Sequence, residues 1–289
     1  MKILGAGLAL ADQTDAALRY ASDHACKAAR AALAMARCLP SELDLIVSLS
    51  VSPNRIADAR NMAGPRLCHP VQRELRASNA MAFDLLDADW VFALDVAESH
   101  CRAMNYRRAL VVRAESLGDV DGAAESGLAD GGGAIVMTVR RDEPCHVSHG
   151  DLKRPPLVTL GTLTSRQMHD SGRVARAQGD YNAATGAFPR PEGPGAALEF
   201  VVNGVLDSTT GPVDHLFHES WMAGWLSCEV WCRGTRRIAL ARGAREVPAS
   251  FQLPHWLAGR IASAATPSNA AVLTLDVFKP RIACMVLEF

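Results

Sequence analysis

Asp87 and Asp89 open a stretch of helical spacing that runs to Met104, and they are the residues of this chain best placed for chemistry. A helix start gathers unpaired backbone N–H groups and the positive end of the helix dipole. A carboxylate there is either a cap or a group whose charge is put to work. Capping is the reading that aspartate favours at such a position, and it is worth about 0.5–2 kcal/mol. His218 is the second candidate. It ends a strand-like run within VDHLFHESW, residues 213–221, where an imidazole would serve as a base. The third is ADGGGA, residues 129–134. A phosphate cradle would need a helix to follow, but apolar strand residues follow, so these glycines are read as a turn where backbone layers approach closely. Cys228 and Cys232 stand four apart with His215 and His218 nearby. Zinc sites use tighter pairs on turns, so no metal is assigned, and the eight cysteines are read as reduced thiols.

The bulk composition narrows the classes. Apolar residues make up 49 % and charged residues 21 % of 289, which is ordinary for a soluble globular chain. A formal charge of −1 gives no electrostatic case for nucleic acid or an anionic membrane. No apolar run approaches the roughly 18–20 residues of a membrane span. The start, MKILGAGLALADQTDA, reads as a strand and loop rather than a signal peptide. The expectation is a cytoplasmic protein without a membrane span.

These residues must be held by alternating β and α units. Strands are expected at Ile3–Leu8, Leu43–Leu49, Ala80–Leu85, Arg108–Ala114 and Gly133–Arg140. Helices are expected at Asp15–Arg37, Pro65–Arg76 and Asp87–Met104. LDLIVSL is almost continuously apolar, as a strand buried on both faces should be. Residues 141–156 read as polar and irregular. In the second part, strands are expected at Leu157–Thr164 and Val213–Phe217, with a closing hairpin of Ala270–Val277 and Ile282–Phe289. Helices are expected at Gly193–Leu206, Ser220–Cys232 and Pro248–Ala264, and a loop at Gln167–Pro191. Alternation of this kind implies a mainly parallel, helix-covered sheet. The division is into two halves, residues 1–148 and 149–289.

AFDLLDADWVFAL (Ala82–Leu94), then ALVVRAES and LADGGGAIVM, resembles the core of condensing enzymes of the ketosynthase III type. That resemblance implies an α/β thiolase fold, five layers α-β-α-β-α built from two pseudo-repeated halves. Such enzymes take the acyl group on a Cys at the start of a buried helix, assisted by His and Asn. The Cys position is filled here by Asp89, and the small residue and Gly after it by Trp90 and Val91. A carboxylate cannot hold an acyl group as a thioester, and Trp90 should fill the acyl pocket, helped by Trp221. His218 pairs with the family His only across a one-residue gap. The family's Asn stretch corresponds to GAREVPASF, Gly243–Phe251, which has no Asn. Cys101 lies twelve residues beyond Asp89, about 18 Å along the helix, too far to substitute.

LDLIVSLSVSPNRIADARNMAGPRLCHPVQRELRASNAMAFDL, YRRALVVRAES and the ending AAVLTLDVFKPRIACMVLEF resemble more closely the degenerate PqsB- and HmqB-type subunits of alkylquinolone synthases. This implies a supporting chain, inactive alone, beside a catalytic ketosynthase III-like subunit of the PqsC or HmqC type. The pair would join a fatty acyl group to 2-aminobenzoylacetate, with no cofactor in this chain. Catalytic residues are expected to be none, with Asp89 and His218 as relics. The edge strand of Ala82, Phe83 and Asp84, with His69 and Asn79 before it, is the expected interface. Alternatives are a homodimeric acyl-binding protein, or a hydrolase or decarboxylase using Asp89.

Overall fold

The computed structural model describes residues 1–10, 20–51, 65–85, 89–117, 129–140, 147–151, 201–207, 209, 212–220, 232–233, 236–263, 267–275 and 281–289. The expected strand Leu157–Thr164, the loop Gln167–Pro191, Trp221 and Cys228 lie outside them.

The first part follows the alternation read from sequence. Its strands are β1 (Lys2–Leu10), β2 (Leu45–Leu49), β3 (Met81–Leu85), β4 (Arg108–Glu115) and β5 (Gly131–Thr138). Its helices are α1 (Ala21–Ala36), α2 (Cys68–Leu75) and α3 (Trp90–Met104). Each helix stops at a residue in the left-handed region, Arg37, Arg76 or Asn105, whose N–H turns back to the last turn's carbonyls. The second part has β6 (Val147–Asp151), β7 (His215–His218), the two-residue strands β8 (Cys232–Arg233) and β9 (Arg236–Arg237), β10 (Ala239–Arg242), β11 (Asn269–Leu275) and β12 (Arg281–Glu288). Residues 201–207 are helical (α4), and α5 spans Gln252–Ser263 after a 3-10 turn at Ala249–Phe251.

The large sheet runs β10-β7-β11-β12-β1-β5-β4-β2-β3, with β6 on β12. One parallel bridge, Lys2 to Glu288, joins its two parts, and Glu288 also forms ion pairs with Lys2 and Arg140. Side-chain alternation along the strands builds three cores. Leu45, Val47, Val111, Ile135, Phe217, Val272 and Met285 turn to a central core with α3 and α5. Ile46, Leu110 and Val136 turn outward to α1 and α2. Leu216, Leu273 and Cys284 turn outward to Val201, Val202 and Val205 of α4. The layers are therefore helix, sheet, helix, sheet, helix, as expected.

Four expectations are corrected. Residues 141–156 contain a strand, β6, which straddles the 148/149 division and pairs antiparallel with β12. Cys232 lies in a strand, not at the end of a Trp-rich helix. The short edge strand β10 was not foreseen. The glycines of ADGGGA are not a turn but the first residues of β5. Their packing role holds: a methyl group on Gly132 would lie 2.6 Å from the backbone oxygen of His24 in α1.

Candidate functional site

The buried polar residues gather at the carboxyl ends of β2, β4 and β7 and at the start of α3, where α/β sheets hold their ligands. Asp89 is the N-cap of α3 and is 1 % exposed. Its Oδ1 accepts the N–H of Val91 at 2.9 Å and of Phe92 at 3.3 Å. The same oxygen accepts the hydroxyl of Thr274 at 2.6 Å. The helix-start donors that could steady an oxyanion are thus turned onto the chain's own carboxylate. Thr274 follows Leu273, the register partner of His218, so Asp89 and His218 belong to one end of one site.

Trp90 closes the space beside Asp89. It is 1 % exposed and its indole N–H donates to the carbonyl of Ser250 at 2.8 Å. Its ring meets β5 where the glycine run leaves room: a methyl group on Gly133 would lie 3.3 Å from Trp90 Cζ2 and 2.6 Å from Pro254 Cγ. Trp90 is thus buried between β5 and the carbonyl of Ser250. The bond to Ser250 also brings the start of α3 against the Gly243–Phe251 segment.

His218 is 3 % exposed. Its Nδ1 lies 2.9 Å from the carbonyl of Glu219, which can only accept, so Nδ1 carries the proton and Nε2 is the acceptor. The N–H of Gly243 donates to the carbonyl of His218 at 2.9 Å. Gln252 knits the same corner: its Oε1 accepts from Ser220 N at 2.7 Å, and its Nε2 donates to Ser220 Oγ, Ala244 O and Val247 O. At the ends of β2 and β4, buried Glu115 accepts from Val51 N, Ser50 Oγ and Arg113 Nε. Sequence reasoning missed Thr274, Gln252 and the Arg113–Glu115 pair. A polar Thr within the apolar run AAVLTL was the one available signal for the first of them.

Cys101 is excluded as a nucleophile on structural grounds as well. It is wholly buried in the central core, and burial pushes its thiol up to about 12. Cys26, Cys38, Cys68 and Cys284 are likewise free and buried.

The expected interface residues form a second group around β3. His69 and Asn79 are exposed, and Asn79 Nδ2 donates to Ser41 O at 3.3 Å. Ala82 and Phe83 are half-buried, each packed against a different core. Asp84 turns inward to α2.

Burial holds His218, His24 and His215 below the ordinary imidazole value of 6.5, with nearby Arg242 and Arg260 adding to the effect at His218 and His215. The unfolded chain therefore takes up protons below about pH 6.5 that the folded chain refuses. Stability is full above that pH and falls as pH drops toward the lowered folded values. The melting temperature should decrease steadily from about pH 7 to pH 5, and His218→Gln should flatten part of the slope. A melting temperature constant over that range would contradict this.

No protein-family model matches the chain. Over 155 residues it is 39 % identical to the 2-heptyl-4(1H)-quinolone synthase subunit PqsB of Pseudomonas aeruginosa, covering 54 % of this chain and 55 % of that one. Over that stretch the chain is similar to a PqsB-type, ketosynthase III-like protein. It is also 40 % identical over 121 residues to the beta-ketoacyl-[acyl-carrier-protein] synthase III of a Synechococcus strain, covering 40 % of this chain and 34 % of that protein. These matches span about half or less of the curated relatives' length. The crystal structure of 3-oxoacyl-[acyl-carrier-protein] synthase III from Aquifex aeolicus superposes with a TM-score of 0.62, covering 99 % of this chain and 98 % of that one at 16 % identity. The chain thus has the thiolase fold seen in that structure. Among the described residues, no helix is long and apolar enough to cross a membrane.

Proposed function

We propose that this chain is the non-catalytic supporting subunit of a heterodimeric, ketosynthase III-like condensing enzyme. The complex joins a fatty acyl group to 2-aminobenzoylacetate and yields 2-alkyl-4-quinolones, compounds that act as quorum-sensing signals or antimicrobials. The observation that carries the reading is Asp89. A carboxylate stands where the family resemblance puts the acyl-accepting Cys, and two backbone N–H groups and Thr274 hold it in place. Trp90 beside it is buried against Gly133 and Ser250, and in this reading it takes the space an acyl chain would need.

The Cys and His of the reaction then belong to the partner, a catalytic chain of the PqsC or HmqC type. The two chains meet along β3, which among the described residues pairs only with β2. Strands joined edge to edge would make one sheet across the interface. His69 and Asn79, exposed close to that edge, then shape the partner's pocket. The same reading treats residues 1–148 and 149–289 as the two thiolase-like halves, places the complex in the cytoplasm and assigns this chain no cofactor.

The test is reconstitution. The two purified chains should co-elute as a heterodimer, and quinolone should form only when both are present. Condensation by the catalytic chain alone, at the rate of the mixture, would end this reading.

A further inference from the structure

We propose that α2 is a brace that holds the open edge of β3 in shape for the partner's strand, with Asp84 and Gln72 as its fastenings; this rests on the subunit reading above. Open strand edges usually defend themselves with charge, proline or a bulge. β3 carries one charged side chain, Asp84, and it is half-buried and engaged with the chain's own donors. Its carboxylate accepts from Leu67 N at 3.0 Å, Cys68 N at 2.8 Å and Ser48 Oγ at 2.7 Å, capping α2 and tying it to β2.

The other contacts run along the strand. Cys68 Sγ lies 3.1 Å from the carbonyl of Phe83, and Gln72 Nε2 donates to the carbonyl of Ala80. The residue before β3 and the strand's own Phe83 and Asp84 are therefore all tied to one helix. Its register with β2 is regular over all five residues from Met81 to Leu85, without a bulge. Among the described residues no strand pairs with the outer side of β3, and Met81 is 44 % exposed. That surface suits an occupant that hydrogen-bonds through its backbone, a β-strand of the catalytic chain, better than a charged ligand. Asp84 and Gln72 would set docking strength without touching the partner.

The variants are Gln72→Ala, Asp84→Asn and Asp84→Ala. Three quantities are read: amide hydrogen exchange of residues 81–85 in the free chain, the dissociation constant for a PqsC-type catalytic chain, and the melting temperature. Exchange at 81–85 should speed up, and affinity should fall by about tenfold or more, the loss of one or two hydrogen bonds to an edge. Gln72→Ala, which leaves the cap of α2 intact, should do this with little change in melting temperature, so the inference stays testable even if Asp84→Ala fails to fold. Unchanged exchange would overturn the brace. Faster exchange with unchanged affinity would overturn its role in docking. If the wild-type chain does not bind the catalytic chain at all, the subunit reading falls, and the docking role with it.

Discussion

Asp89→Ala should lower folding stability by about 2–4 kcal/mol, from a lost helix cap and a buried Thr274 hydroxyl left without its acceptor. The reason is that one oxygen of this buried side chain serves three donors. The loss should appear as a lower urea midpoint with an unchanged slope, since the folded chain keeps its compactness. Asp89→Asn keeps an acceptor oxygen and should lose less. A loss below about 0.5 kcal/mol for Asp89→Ala would mean that the carboxylate is not the structural cap described above. Asp89→Cys restores the nucleophile type and should still take no acyl group, because Trp90 remains in place. That outcome separates this account from one in which only the nucleophile has been lost.

Trp90→Ala should have the largest effect on stability, about 3–5 kcal/mol, as expected for removing a fully buried indole. The side chain packs over Gly133 near Pro254 and donates to Ser250, so its removal leaves both a cavity and an unpaired carbonyl. Such a cavity is lined largely by apolar groups and should accept a planar aromatic of matching size. Added indole should therefore raise the melting temperature of the variant in a concentration-dependent way and leave the wild-type chain unaffected. A variant as stable as wild type, or indifferent to indole, would show that Trp90 does not fill this space.

The parts of the fold that sequence foretold are those where burial and local chemistry agree. LDLIVSL is apolar throughout, and β2 is buried at all five positions. Asp89 was legible as a cap because aspartate is among the best residues for that place. The parts that escaped are those where tertiary packing overrides local preference. VSHGD reads as a loop, yet it forms β6 because β12 offers a free edge. Three consecutive glycines disfavour a strand, yet they begin β5 because α1 and Pro254 leave no room for a side chain. ALAR is too short to signal a strand and becomes β10 through its pairing with β7. The site was half legible. Sequence named Asp89 at the start of α3, but Thr274 and Gln252, which hold the corner together, come from strands and helices distant in the chain. No spacing rule links residue 89 to residue 274.

The most direct test of the central claim is where an acyl group goes. The purified heterodimer should be incubated with a fatty acyl-CoA and both chains weighed by intact-mass spectrometry. The account predicts one acyl mass on the catalytic partner and none on this chain. An acyl mass on this chain, with or without its partner, would contradict it.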